Sequence, residues 1–154
     1  MHRTLIRMTT AITLGWAALT APAFAEMVKQ TSPHSVAVTM DRLEAAATAA
    51  GATVFARIDY VEGATSVDME LRPTQVLLFG NPRLGTPAML DAQTAGLDLP
   101  LRVLAYEDAD GVVTLLYRTP DTLVAEHGIP ADAPYLKMMT GALANFTAAA
   151  IAAE

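Results

Sequence analysis

The apolar run at residues 75–79, Gln-Val-Leu-Leu-Phe, is the feature that most constrains how this chain can fold. An unbroken run of this length is typical of a strand buried on both faces, and the glycines and proline of residues 80–85 end it abruptly. A strand of that kind needs further strands beside it and other elements against its faces. The rest of the sequence must therefore supply a sheet and its cover.

Four other segments are predicted strands. They are residues 27–31, 53–60, 99–107 and 112–118, of which the last two are joined by the turn sequence Asp-Ala-Asp-Gly at 108–111. Such a turn between two apolar segments predicts an antiparallel hairpin. Within residues 53–60, alternation predicts four side chains on one face: Val54, Ala56, Ile58 and Tyr60.

Two longer helices are predicted, one after Ser35 and one after Asp132, because apolar residues recur at three-four spacing behind each capping residue. Shorter helices are predicted to begin at Thr86 and Thr119, each of which precedes a proline. The fold class that follows is α+β. We expect a single compact domain, in which a sheet of about five strands, including the antiparallel hairpin, is covered by the two longer helices.

Residues 1–25 have the pattern of a cleaved secretory signal peptide. Arg3 and Arg7 precede an apolar stretch, and residues 23–25 read Ala-Phe-Ala, a small-residue cleavage signal. The stretch is short and interrupted for a membrane span, so we predict a periplasmic or secreted domain of residues 26–154 with no stable membrane insertion after cleavage. A retained membrane anchor or a buried first helix is the alternative.

The amino-acid composition excludes several classes of function. The 154 residues include no cysteine, which excludes disulfide scaffolds, thiol redox motifs and cysteine-ligated metals. The net charge of −6 argues against nucleic acid as a partner, because phosphates require a basic surface. Export would also remove the chain from cytoplasmic ATP and nicotinamide pools, and we expect no cofactor.

Several segments carry a family resemblance. They are Ala-Arg-Ile-Asp at 56–59, LRPTQVLLFGNPRLGTPAM at 71–89, LDLPLRVLAYEDADG at 97–111, and the Tyr117…Pro120 pair. With them, the chain from Ser32 onward resembles the bacterial family called domain of unknown function 302. The resemblance implies a compact α+β domain and brings no established activity. Members commonly continue Ile-Asp with a histidine where this chain has Tyr60, so no metal or proton-transfer role is carried over to that position.

Two loop motifs imitate ligand sites. Residues 80–86, Gly-Asn-Pro-Arg-Leu-Gly-Thr, imitate a phosphate-binding loop but lack its lysine, which favours a tight strand-to-helix turn. A weaker use remains, in which the first amides of the Thr86 helix hold a small anion with help from Arg83. The acids at 107–110 lack the later ligands of a calcium loop, which favours a hairpin turn.

Histidine and methionine side chains are the ligand types of an extracytoplasmic copper site. After cleavage the histidines are His34 and His127, and the methionines form no closely spaced polar cluster. Met139 falls on the apolar stripe of the last predicted helix, so we interpret the methionines as core residues and predict no metal site.

A small set of polar residues lies beside the apolar strands. Asp59 and Asn81 both follow strands, at the ends where sites collect in α/β sheets, and Arg102 lies inside a strand. Structural ion pairs and turn capping are the alternative. The predicted ligand-binding residues are Asp59, Tyr60, Asn81, Arg83, Asp98 and Arg102.

Three functions remain open. The first is an exported soluble module that binds a small ligand with a polar or anionic group. The second is an enzyme that uses Asp59 or Tyr60 as a general acid–base while Arg102 orients the substrate. The third is a homodimeric structural or interaction module, since small sheets leave edges and apolar faces that need cover.

Overall fold

The computed structural model describes residues 27–153, which form five strands, five α-helices and one short 3-10 helix. The predicted leader lies outside these residues. The strands are β1 (Met27–Ser32), β2 (Thr53–Asp59), β3 (Thr74–Gly80), β4 (Leu101–Glu107) and β5 (Val113–Arg118). The helices are α1 (Val36–Ala49), α2 (Tyr60–Thr65), α3 (Pro82–Asp91), α4 (Asp121–His127) and α5 (Pro134–Ile151), and the 3-10 helix is Gln93–Leu97.

The strands form one sheet in the order β1-β5-β4-β3-β2, and every neighbouring pair is antiparallel. The α+β class, the five-stranded sheet and its hairpin are confirmed. The apolar run at 75–79 is an interior strand, although β4 and not β3 is central. In β3, Leu77 and Phe79 are fully buried, whereas Leu78 on the opposite face is half-buried.

Helices α1 and α5 cover one face of the sheet, here called the inner face. α1 begins after Ser35, whose hydroxyl oxygen accepts a hydrogen bond from the Val38 backbone N–H at 3.3 Å, and it is followed by Gly51 at φ +76°. α5 packs Phe146 against Phe79 of β3, with ring centroids 5.8 Å apart. The core of this layer includes Val36, Met40, Leu43, Leu77, Val103, Leu115 and Leu143.

The opposite side of the sheet, here called the outer face, carries apolar side chains that belong to neither core cluster of residues 27–153. Three cations, Lys29, Arg102 and Arg118, alternate onto the same face. The apolar side chains of the outer face are Ile58, Val76, Leu78, Leu104, Tyr106 and Leu116.

A second core cluster lies beyond the Leu101 end of β4. It joins α3, the 3-10 helix, α4 and the start of α5, and Leu101 contacts both clusters. Its members include Ala88, Ala95, Leu123, Ile129, Tyr135, Leu136 and Met139. No helix of residues 27–153 is both long and apolar enough to span a membrane.

Strand β2 departs from the predicted alternation. A bulge between Val54 and Ala56 shifts its register against β3, so Arg57 joins Val54 on the inner face. The strand also ends at Asp59, and Tyr60 is the first residue of α2. The prediction that Val54, Ala56, Ile58 and Tyr60 share a face is therefore wrong.

Two helix starts also differ from the predictions. α3 begins at Pro82 rather than after Thr86, because the Asn81 side chain accepts the Arg83 backbone N–H at 2.9 Å. α5 begins at Pro134 without a side-chain cap, so the predicted capping by Asp132 is wrong. A proline at the first helical position has its φ fixed near the helical value and lacks an N–H to satisfy, which reduces the need for a cap.

Candidate functional site

A cavity of about 370 Å³ opens on the outer face at the end where β5 leads into α4. Its floor is apolar and includes Val76, Leu104 and Leu116, which lie side by side on three adjacent strands. The residues that lead into α4 and its first turn form the cavity wall, among them Thr119, Pro120, Thr122 and Leu123. Met27, the first residue of β1, lines it as well.

Two arginines line the cavity from neighbouring strands. Val103 of β4 pairs with Tyr117 of β5, so Arg102 and Arg118 occupy the next positions outward on the same face. Neither guanidinium has a close, buried acidic partner. Arg118 Nη1 lies 3.5 Å from Glu126 Oε1, with both side chains at least half exposed, and exposed pairs of this kind contribute little stability.

Arg102 is held by the segment that precedes β4. Its Nη2 donates a 2.6 Å hydrogen bond to the Leu97 carbonyl and lies 3.8 Å from Asp98 Oδ1. The planar guanidinium has five N–H donors, so these contacts leave most of them free to bind an anion.

Two hydroxyl groups of the cavity wall are buried without a partner. Within residues 27–153, the hydroxyl oxygens of Thr119 and Thr122 accept and donate no hydrogen bond, and Thr122 is only 4% exposed. A buried hydroxyl without a partner costs on the order of 1–3 kcal/mol, so most such groups in folded proteins are satisfied by protein or by a bound molecule. Both oxygens are fully buried, so a molecule in the cavity contacts neither of them in this arrangement of the wall.

Asp98 links the cavity to a buried histidine. Its Oδ2 lies 2.7 Å from His127 Nε2, and His127 Nδ1 lies 3.1 Å from the Thr94 hydroxyl oxygen. The His127 side chain is 6% exposed. This geometry fits the tautomer in which Nε2–H donates to Asp98 and the Thr94 hydroxyl donates to Nδ1. The chain of contacts fixes the end of α4 to the 3-10 helix and orients the carboxylate beside Arg102.

A second cavity, of about 240 Å³, lies at the same end of the molecule and has no charged side chain in its lining. Residues 80–89 and 99–101, which belong to the segments that carry the family resemblance, form most of it, with Phe55, Gly96 and Met139. Asn81 lines this cavity, but its side-chain oxygen is used to cap α3. The second cavity is therefore an apolar pocket with few side chains free to hydrogen-bond a ligand.

The predicted site residues lie at four separate places. Asp98 and Arg102 lie together at the first cavity, Asn81 lies at the second, and Arg83 is exposed and lines neither. Asp59 and Tyr60 lie elsewhere, where β2 ends and α2 begins.

Both carboxylate oxygens of Asp59 accept hydrogen bonds that stabilise the local fold. Its Oδ1 accepts the Val61 backbone N–H at 2.8 Å, and its Oδ2 accepts Gln75 Nε2 at 2.8 Å. It pairs with Gln75 of β3 on the inner face, while Arg102 pairs with Leu78 on the outer face. The structure does not bring Asp59 and Arg102 to one site.

Sequence reasoning missed Arg118, Thr119 and Thr122, and did not pair His127 with Asp98. Arg118 could have been found, because counting outward from the turn at 108–111 places it opposite Arg102 on the same face. The other three depend on how α4 folds back over the sheet, which no local pattern specifies. Within residues 27–153, no group of three or more His, Cys, Asp or Glu side chains is arranged to hold a metal ion.

The chain is similar to several known proteins. Proteins named fluoride-specific ion channel FluC 1, from Brucella suis biovar 1 (strain 1330) and Brucella abortus biovar 1 (strain 9-941), are each 43% identical to it over 117 residues. The matched stretch is 75% of this chain, and 46% and 43% of those relatives. The chain thus spans less than half the length of the relatives it matches.

The fold also has a counterpart among solved structures. The crystal structure of an uncharacterized conserved DUF302 protein from Bacillus stearothermophilus aligns with a TM-score of 0.62 at 20% identity, covering 81% of this chain and 94% of that chain. The family model of the domain of unknown function DUF302 matches residues 28–146. The chain belongs to the DUF302 family.

Proposed function

We propose that this chain is an exported domain that binds a small amphipathic anion in the cavity of the outer face. The ligand's apolar body lies on Leu104 and Leu116, and its carboxylate or similar head group lies between Arg102 and Arg118. The observation that carries the proposal is the placing of two incompletely paired arginines at the rim of one apolar cavity.

The lining supports an amphipathic ligand rather than a compact inorganic anion. Ligand sites are mostly apolar, with a few polar groups that fix orientation, and this cavity has that composition. An arginine fork binds carboxylates through paired, charge-assisted hydrogen bonds. The apolar floor needs a ligand body to cover it.

The fluoride specificity named for the Brucella relatives is not part of this proposal. A single fluoride ion would leave most of a cavity of about 370 Å³ unfilled and would not contact its apolar floor. We infer that the part of those relatives matched here serves a role separate from ion selection.

A fluorescent probe tests the site directly. Anilinonaphthalene sulfonate combines an anionic group with a flat apolar body, and its emission rises when it leaves water. We expect it to bind the folded protein, and Arg102→Lys to weaken that binding by about 1–3 kcal/mol, since lysine cannot reproduce the paired hydrogen bonds of the fork. Circular dichroism checks that the variant is folded.

Arg83→Lys is the matched control, because Arg83 is exposed and lines neither cavity. It should leave probe affinity unchanged. Equal probe affinities for Arg102→Lys and the wild-type protein would contradict the proposed binding site. Native mass spectrometry of the exported protein would then identify any molecule that co-purifies with it.

A further inference from the structure

The second cavity, of about 240 Å³, has no part in the proposed anion site. Apart from Leu101, the two cavities share no lining residue. Met139 lies at the base of the second cavity, since it is 2% exposed and belongs to the second core cluster. None of the lining side chains is charged, so an ion placed there would lose its hydration without gaining a partner. The cavity therefore fits an uncharged occupant.

Three glycines form part of the cavity wall. Gly80 ends β3, Gly85 lies in α3, and Gly96 lies in the 3-10 helix. None of the three has a positive φ, so their backbone conformation does not require glycine. A Cβ atom added at any of them would have its nearest neighbour at 3.5–3.8 Å, in another residue of the same lining. Alanine would thus fit at each position, but it would narrow the cavity.

At Gly85, helix stability and an open cavity favour different residues. Glycine within a helix is less favourable than alanine, because glycine loses more conformational freedom on folding. Gly85 lies inside α3, where its backbone N–H donates to the Asn81 carbonyl at 3.0 Å. Alanine there would favour the helix and would place its methyl group 3.8 Å from Leu99 Cδ1, in the cavity lining.

The bulge of β2 places an aromatic ring at the mouth of the cavity. Phe55 is the extra residue of the bulge, since its two neighbours in β2 pair with consecutive residues of β3. A Cβ atom at Gly80 would lie 3.7 Å from Phe55 Cε2, so the ring lies over the glycine. Phe55 lines the cavity and is nevertheless 59% exposed. Bulges reorient side chains beside binding sites, and a molecule in the cavity would cover this exposed ring.

The volume and the lining side chains indicate one or two fused rings. An apolar cavity of roughly 150 Å³ holds one benzene molecule, so about 240 Å³ has room for about nine or ten non-hydrogen atoms. Met89 and Met139 both line the cavity, and methionine sulfur makes favourable contacts with aromatic rings. The ring of Phe55 can stack on such a molecule or meet its edge.

We propose that the second cavity binds a small, flat, uncharged aromatic molecule of about the size of indole. The molecule lies between Phe55 at the mouth and Met139 at the base, in the space that Gly85 leaves open. This site is separate from the anion site of the outer face, and the protein can bind both ligands.

Isothermal titration calorimetry with indole tests the site. We expect the wild-type protein to bind indole with a dissociation constant below about 1 mM. Gly85→Leu should weaken this binding about tenfold or more, because the added side chain fills the cavity. Gly85→Ala should weaken it by a smaller factor and, at the same time, raise the melting temperature by a few degrees.

Gly141 provides the matched controls. It lies inside α5, and a Cβ atom added there would have nothing within 4 Å. Gly141→Ala should raise the melting temperature by a similar amount, and neither Gly141→Ala nor Gly141→Leu should change the affinity for indole.

Phe55→Leu tests the chemical class of the ligand. This variant keeps an apolar side chain at an exposed position and loses only the ring, so it should fold normally. It should weaken indole binding about threefold to tenfold, the range of an aromatic pair. Leu90→Ala is the control, since Leu90 is 81% exposed on α3 and lines neither cavity.

Two results at the cavity would overturn the proposal. One is a wild-type protein that binds no indole at about 1 mM. The other is an indole affinity that Gly85→Ala leaves unchanged, which decides the matter even where Gly85→Leu fails to fold. Wild-type affinity in Phe55→Leu would overturn the aromatic class.

Arg102→Lys separates the two sites. It should leave indole affinity unchanged, because Arg102 does not line the second cavity. Indole binding by a protein that does not bind anilinonaphthalene sulfonate would reject the anion site and keep this one. Weaker indole binding in Arg102→Lys would place indole in the first cavity and overturn the present proposal.

Discussion

Tyr135 is the side chain whose acid–base chemistry the fold changes most. It lies in the second core cluster at 6% exposure, and its hydroxyl donates a 2.6 Å hydrogen bond to Asp91 Oδ2. Burial, together with the hydrogen bond to Asp91 and the charge of its carboxylate, raises the pKa of Tyr135 to about 12. The folded protein therefore holds the phenolic proton more tightly than the unfolded chain does.

Tyr135→Phe should lower the free energy of unfolding by about 1.5–3 kcal/mol at neutral pH, the value of one hydrogen bond to a charged group. A raised pKa stabilises the fold fully below the ordinary tyrosine value of 10.0 and progressively less as pH rises through about 12. The difference in melting temperature between the two proteins should therefore narrow from pH 10 toward pH 12. Tyr60→Phe removes a hydroxyl at an exposed tyrosine and is the control; it should leave the melting temperature at neutral pH nearly unchanged. A constant difference across this range would contradict the assignment.

Arg57 explains why Asp59 is a structural residue. Its Nη1 donates to Asp41 Oδ1 at 2.6 Å and to Glu44 Oε2 at 3.3 Å, and its Nε donates to Gln75 Oε1, whose amide group in turn donates to Asp59. Burial alone would lower the pKa of Arg57, but the hydrogen bonds and charges of Asp41 and Glu44 outweigh it and raise that pKa. The network joins α1 to β2 and β3. Through Gln75 it also engages the carboxylate of Asp59, which an acid–base role would need to be free.

At the scale of single elements, the start of α3 offers a direct test. Asn81→Ala removes the side-chain acceptor of the Arg83 N–H and should lower the free energy of unfolding by about 1 kcal/mol. Thr86→Ala, within the helix, should change it by less than about 0.5 kcal/mol. Chemical denaturation of the two variants measures both values. Equal losses would show that the helix does not depend on Asn81, and probe binding should be unchanged in each.

The segment at 80–87 shows how far local signals reach. Asn-Pro at 81–82 and Thr-Pro at 86–87 both match a cap followed by a first-turn proline, so the sequence contains two possible starts of one helix. The structure uses the earlier start and accommodates Pro87 inside the helix. The earlier start brings Leu84 into the helix, and Leu84 packs against the second core cluster.

Strand β2 shows a similar limit. Its extent was predicted to within one residue, because alternation and flanking signals are local. The face on which each β2 side chain lies was predicted wrongly. The bulge between Val54 and Ala56 adds one residue, so every later side chain lies on the opposite face from the one predicted. Nothing in the local pattern signals the bulge.

At the scale of the whole molecule, the class and the number of strands followed from periodicity, and the grouping of site residues did not. Asp59 and Asn81 each follow a strand, and in a parallel sheet they would share an edge. β2 and β3 are antiparallel, with Thr53 opposite Gly80 and Asp59 opposite Gln75, so the two residues lie at opposite ends of the sheet. Strand direction depends on long-range pairing that a single sequence does not display.

Export is tested on the intact protein. We predict that the mature chain begins at Glu26, because Ala23 and Ala25 occupy the small-residue positions of a cleavage site. The intact mass of protein recovered from the periplasm or medium should correspond to residues 26–154. A mass that retains residues 1–25 on exported protein would contradict the cleavage.

The position of Met27 determines at which terminus a fused tag would block the cavity. Met27 lines the cavity, and β1 runs from it for roughly 20 Å to Ser32 at the opposite end of the sheet. Ala152 lies near that far end, where its carbonyl accepts hydrogen bonds from His34 Nε2 and Arg42 Nη2, each at 2.9 Å. An affinity tag or fused reporter placed ahead of Met27 would crowd the cavity and the outer face, whereas one placed after Ala152 would leave both accessible.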